Sequence, residues 1–349
     1  MDSDIRKKKS FFLTALNVIS CYAVVMLHAN GSYWAFTNDR CWRIANIIET
    51  FFYFAVPCFL MISGATLMDY EDRYTLKEYF IKRIKKTVIP FIVWSIIGFF
   101  VYGHFTDRFN ISDYDLKGIY NGIMNTSFVQ IYWFFPTLFC IYLAIPLFAA
   151  VEKQKRKKVF TYLAVMGYIL NALLPFINSN MKLELSLPLN VSSVAGCTIF
   201  AVIGYLLYEY DMSPKWRIFV YIAAVAAAVI HAVGTQVVSV EAGETLRTFK
   251  GYNNALGVAY SVGVFVLLKQ IFLKVELSDK IKAVFKFISK YTFGIYLIHR
   301  FILDWFRMQS FIDDRSIVFK LGMPFIVFPI SIGVIYILRK IPVLKHIVP

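Results

Sequence analysis

Residues 11–30 read FFLTALNVISCYAVVMLHAN, twenty residues without a single Asp, Glu, Lys or Arg. A helix of that length rises about 30 Å, the thickness of the hydrocarbon core of a bilayer. The run follows MDSDIRKKKS, whose four cations are the flank that keeps a first helix end in the cytoplasm. No small-residue cleavage site follows it and more apolar runs do, so it reads as a retained first span and not as a removable signal.

The rest of the 349-residue chain repeats this pattern. Its residues are 58% apolar, 18% aromatic and 17% charged, against roughly 25% charged in a soluble domain. Apolar runs bounded by charge or turn residues lie near residues 11–30, 47–69, 87–104, 131–150, 158–177, 192–210, 217–234, 252–273, 290–310 and 317–338. The reading is an all-α polytopic membrane protein of about ten transmembrane helices, one membrane domain over residues 1–349 with no appended soluble domain.

Sidedness follows from the cations. With both termini in the cytoplasm, the inner loops and ends hold 26 of the 37 Lys and Arg residues, as the positive-inside rule demands. The outer loops hold the other 11, together with Asp107, Asp113, Asp115, Glu241, Glu244, Asp313 and Asp314. The net charge of +15 is therefore explained by anionic lipid at the inner face, and no nucleic acid is expected. The five cysteines, Cys21, Cys41, Cys58, Cys140 and Cys197, show no metal-type spacing. No metal site is expected. Walker, GxSxG and HExxH motifs are absent as well.

Polar residues inside a span are costly and so carry information. In the first span Asn17 and His28 stand eleven residues apart, three turns, on one helix face. His28 lies near the outer end, where a neutral imidazole is suited to take up a proton. Glu49, at the outer end of the second span, is placed to approach it and orient the ring, or to sit in water at the interface. Pro57 and the Ser63-Gly64 pair mark either a kink or a close approach of another backbone. Arg83 and Lys86 share one face at the inner mouth of the third span, an anchor to lipid or a grip for phosphates. Tyr132 and Trp133 open the fourth span as an interfacial pair, and the ninth carries a second histidine, His299. Tyr33, Trp34 and Trp42 in the outer loops suit a sugar-stacking surface or an aromatic belt.

Five segments in order, AVVMLH (23–28), FFYFAVPCFLMISGATL (51–67), FIKRIKKTVIPF (80–91), YWFFPTLFCIYLAIPL (132–147) and ISKYTFGIYLIH (288–299), resemble the membrane-bound acyltransferase-3 family along nearly the whole chain. The resemblance implies that His28 is the catalytic base, that Arg83 and Lys86 stand at an RxxR-like motif contacting CoA phosphates, and that Trp133 and His299 occupy family positions. It also implies an Arg eleven residues before the histidine, able to grip donor phosphate or orient the ring, and an Asp three residues earlier. This chain has Asn17 and Thr14 there, and Asn17 is expected to keep a donor-binding role through its hydrogen bonds.

The expected function is an O-acyltransferase of the cell membrane. Acetyl-CoA or another acyl-CoA is the donor, and the acceptor is a hydroxyl of an envelope glycan or lipid-linked sugar. The rival is an uptake module for a small polar solute, with a midplane site built from Asn17 and the Ser63-Gly64 region.

Overall fold

The computed structural model describes residues 2–106, 108–181, 196–309 and 313–349. Asp107 and the first four positions of the expected span 192–210 lie outside them. The described residues form helices and short turns, with no strand among them. In chain order the α-helices are α1 (Asp2–Ala29), α2 (Arg40–Phe52), α3 (Ala55–Leu67), α4 (Leu76–Arg83), α5 (Ile89–Phe105), α6 (Leu116–Met124), α7 (Phe134–Ala149) and α8 (Lys153–Tyr168). They continue as α9 (Leu174–Asn180), α10 (Thr198–Glu209), α11 (Pro214–Ala242), α12 (Ala255–Lys274), α13 (Asp279–Ser289), α14 (Thr292–Met308) and α15 (Ile317–Lys340).

Eight stretches of this set are long and apolar enough to cross a bilayer. The pairs α2 with α3, α4 with α5 and α8 with α9 each make one such stretch, and α1, α7, α11, α12 and α15 supply the others. The two remaining segments expected to cross are shorter. α10 has 12 described residues, and α14 has 17 with a charged last turn. α11 shows most plainly that the solvent is lipid, because Ile222, Val225, Val229 and Val233 are all exposed along it.

Proline sets where the helices bend. Pro57 has no N–H for the Tyr53 carbonyl four residues back, and its ring crowds that oxygen. The second span breaks there, at Tyr53–Phe54 between α2 and α3. Pro90 and Pro175 act more gently: each follows a π-helical turn, Ile84–Val88 and Ile169–Leu173, that widens the helix around the missing bond.

Ser63 and Gly64 do not bend α3. Ser63 Oγ donates to the Phe59 carbonyl at 3.1 Å within the helix. Gly64 is where α10 comes closest: a Cβ there would stand 1.9 Å from the Ala201 carbonyl oxygen, and one at Gly204 would stand 2.1 Å from that of Met61. Facing glycines let the two backbones touch, the usual route to tight packing where lipid removes the hydrophobic drive.

α1 runs through the middle and packs on α3, α12, α13, α14 and α15. One polar end of the bundle holds its N-terminal arm, with the Arg156–Asp69 and Lys153–Asp72 pairs and the Lys8–Glu276 contact. The other end holds His28, Glu49 of α2, Thr106, Arg108, residues 130–133, the loop that carries Arg247 to Tyr252 and the end of α14. Because α1 is central, its last turn opens on whatever these segments enclose.

Candidate active site

They enclose a cavity of about 1160 Å³, and His28 is on its wall. The ring of His28 is hydrogen-bonded through Nδ1 to Nε2 of His299, 2.6 Å away. The ring centroids are 4.9 Å apart and the planes differ by 17°. A contact that short between nitrogens, at that centroid distance, needs the rings edge to edge in nearly one plane and not face to face.

The pair fixes its own protons. His299 Nδ1 lies 2.9 Å from the Ile295 carbonyl oxygen, which only accepts, so His299 donates there and its Nε2 keeps a lone pair. His28 Nδ1 must then donate to His299. The lone pair of neutral His28 is left on Nε2, the nitrogen away from the partner ring. His299 is fully buried and His28 half-buried, so the inner ring orients and the outer one meets the cavity.

The next turns of α14 add charge. Asp304 accepts from Arg300 Nε at 2.9 Å, Arg108 Nη2 at 3.0 Å and the Tyr102 hydroxyl at 3.0 Å on one oxygen, and from Arg307 Nη1 at 3.0 Å on the other. Residues 300, 304 and 307 are spaced i, i+4, i+7, which puts all three on one helical face. Arg307 reaches further, donating Nη2 to the His28 carbonyl at 2.8 Å. It satisfies an end-of-helix acceptor and couples α14 to α1 beside the histidine pair.

Glu49 lines the same cavity, but its partners differ from the expected one. Its carboxylate accepts from Asn30 Nδ2 at 3.2 Å. The ring of His28 is held by His299 instead. Near Glu49 sits the buried Lys250, whose ammonium donates to Thr50 Oγ1 at 3.2 Å and to the Asn46 carbonyl at 3.4 Å and lies 4.7 Å from the centre of the Tyr33 ring. Burial lowers the Lys250 pKa from the usual lysine range, and the Glu49 carboxylate works the other way.

Aromatic rings form a second wall. Trp133 stacks on Tyr252 at 5.6 Å and 16°, and Tyr252 stacks on Tyr53 at 4.3 Å and 18°. Tyr53 reaches this position because Pro57 breaks the helix there. Tyr132 turns the opposite way from its neighbour: it is fully buried, and its hydroxyl donates to the Leu297 carbonyl at 2.8 Å. Trp133 thus faces the cavity, while Tyr132 braces α14 two residues from His299.

The other expected site residues lie elsewhere. Asn17 donates to Thr292 Oγ1 at 2.9 Å, a bond between α1 and α14. With Ser63 bonded inside its own helix, both polar groups considered for a midplane solute site serve helix structure. Arg83 and Lys86 are at the arm end of the bundle. The Arg83 guanidinium lies 5.7 and 5.4 Å from the Tyr79 and Tyr142 ring centres, with its buried Nε unpaired, while Lys86 is exposed beyond the start of the π-turn. The cavity residues absent from the expectation are chiefly Asp304, Arg307, Arg108, Lys250, Tyr53 and Tyr252. The RFILDWFR run at 300–307 carried a signal, three charges at helical spacing in an apolar span. Lys250 and Tyr252 carried none, because only the fold returns their loop to α1.

No curated protein and no solved structure matches the chain. A family model described as an acyltransferase domain matches residues 11–340, from the start of the first span to the end of α15. The histidine pair therefore stands in a polytopic membrane enzyme, and the chain belongs to the acyltransferase-3 family.

Proposed function

We propose that this acyltransferase is an O-acyltransferase that moves an acyl group, acetyl in the first instance, from acyl-CoA to a hydroxyl of a glycan or lipid-linked sugar at the cell membrane. The observation that carries the reading is the His28–His299 hydrogen bond at the cavity wall, which leaves His28 Nε2 as the basic nitrogen. His28 Nε2 takes the proton of an acceptor hydroxyl as its oxygen attacks the thioester carbonyl. The C–S bond of the tetrahedral adduct then breaks, and the imidazolium returns its proton to the departing thiolate, regenerating the neutral pair. The guanidinium groups of Arg300 and Arg307, on the same wall, are suited to the negative charge on the adduct oxygen.

In this reading the acyl donor arrives from the arm end, with both termini cytoplasmic, and Arg83 and Lys86 receive its phosphates. The support for that use is their charge and their place at the arm end, where Lys86 is exposed and Arg83 partly so. The stack of Trp133, Tyr252 and Tyr53 offers a face on which a sugar ring can lie. His28→Ala should lower the transfer of labelled acetyl from acetyl-CoA by about 10²–10⁴, the usual worth of a placed base. Purified protein with an envelope glycan extract supplies the assay. Transfer by the variant at the wild-type rate would overturn the assignment.

A further inference from the structure

The cavity beside His28 has more positive charge than the transfer chemistry, which uses Arg300 and Arg307, requires. Its lining includes six basic side chains, Arg108, Arg247, Lys250, Arg300, Arg307 and Arg315, and three acidic ones, Glu49, Asp304 and Asp314. Asp39, outside the lining, pairs with Arg315 and raises the acids to four. The excess remains positive.

What decides the matter is which of these groups a ligand meets. Asp304 is only 9% exposed, and its oxygens already accept from Tyr102 and three arginines. It has little left to offer a hydroxyl. Its partners are more open: the side chains of Arg108 and Arg300 are 43% and 25% exposed. Arg247 is exposed too, and among the described residues it makes no ion pair; its guanidinium lies 4.3 Å from the centre of the Trp34 ring. A guanidinium cannot accept a hydrogen bond, so a wall of them is poorly matched to a neutral sugar, whose hydroxyls need acceptors as well as donors. Such a wall matches a carboxylate or a phosphate, which takes two parallel N–H bonds from one arginine.

We infer that the acceptor subsite takes an anionic glycan, one bearing a carboxylate or phosphate near the hydroxyl that is acylated, and that Arg247 is a specificity-determining contact for that charge. This rests on the O-acyl transfer reading, but its test does not use transfer. Trp34 and Trp133 both line the cavity, so their fluorescence reports what enters it. Purified protein is titrated with methyl glucuronide, with methyl glucoside 6-phosphate and with neutral methyl glucoside.

At least one anionic sugar should saturate the signal at concentrations about tenfold lower than the neutral one, and the advantage should shrink as salt screens the charge. Arg247→Gln, on an exposed loop, should reduce the charged-to-neutral ratio about tenfold and leave the affinity for CoA as it was. Response to the carboxylate alone or the phosphate alone identifies the anion. Equal or weaker binding of both anions, no saturable response to either, or an unchanged ratio in Arg247→Gln overturns the inference. So does a loss of CoA affinity in that variant, which would assign the arginines to the donor. If anion selectivity stands while His28→Ala transfers acetyl at the wild-type rate, only the role of His28 as base falls. If it stands while the wild-type protein transfers no acetyl to any glycan, only the transfer reading falls.

Discussion

Both ends of this bundle are basic, but they are basic in different ways. At the arm end, the N-terminal arm, residues 70–86, 151–158, 211–217 and 269–290 and the tail carry six arginines and twenty lysines. At the histidine end the described residues carry seven arginines and three lysines. The arm end has a cavity of about 540 Å³ lined in part by Arg6, Lys7, Lys8, Lys282 and Lys286, and many of its lysines are exposed. Its ion pairs are mostly at the surface, as between Lys153 and Asp72, where the lysine hydrogen bond holds the Asp72 carboxyl below its usual range. At the histidine end three of the seven arginines, Arg108, Arg300 and Arg307, converge on a buried carboxylate next to a histidine pair. Lysine is a strongly hydrated point charge, suited to a lipid surface; arginine is a planar fork that accepts partial burial and fixes direction.

The comparison breaks most sharply at its two carboxylates. Asp304→Asn takes one side of the contacts from three arginines in a nearly closed site, and breaking a buried pair costs about 3–5 kcal/mol. Transfer should fall by at least about 100-fold and the melting temperature of the purified protein should drop. Asp72→Asn removes the same charge from the surface at the arm end and should leave both measurements at wild type. Equal effects of the two substitutions would mean that the ends do not differ in the way described.

The sequence carried the membrane class and the family resemblance, and it singled out His28, because an ionisable group in a twenty-residue apolar run is conspicuous by itself. It also carried the two possible uses of Ser63-Gly64 and Pro57, of which the fold realises close approach at Gly64 and a break at Pro57. It did not carry the partner of His28. Glu49 is the nearest acid by connectivity, since spans joined by a short loop are usually neighbours, and it does line the cavity. The bond to His299 depends on α14 lying against α1 across 271 residues of chain. No local pattern encodes that contact. The number of crossings was harder to read from α10 and α14, because their short apolar helices are covered by other helices and need not match the bilayer by themselves.

Within the histidine end, the two rings should separate into a base and an orienting group. His299→Phe keeps a planar ring in the buried site but removes the acceptor for His28 Nδ1–H. His28 can then rotate or change tautomer. The expected result is a fall in kcat of about 10–100-fold, the scale on which loss of an orienting hydrogen bond is felt, with the KM for the acceptor little changed. The loss should stay below that of His28→Ala. His299→Phe as damaging as His28→Ala would mean that the two rings share the proton transfer and neither is only a support.

The smallest effect is expected at the arm end, and it tests whether that end does more than hold lipid. Lys86 is exposed, so Lys86→Ala removes one well-hydrated charge from a surface where others remain. If donor phosphates rest there, the KM for acetyl-CoA should rise by about two- to fivefold, the range of one exposed ionic contact, and the rise should vanish at high salt. Neither kcat nor the acceptor KM should move, because the histidine cavity is at the other end of α1. Arg83→Ala is the sharper variant: with its guanidinium near Tyr79 and Tyr142, its loss should raise the same KM further than that of Lys86. A donor KM that ignores both substitutions would leave the arm end as a lipid anchor and move the donor phosphates to another part of the bundle.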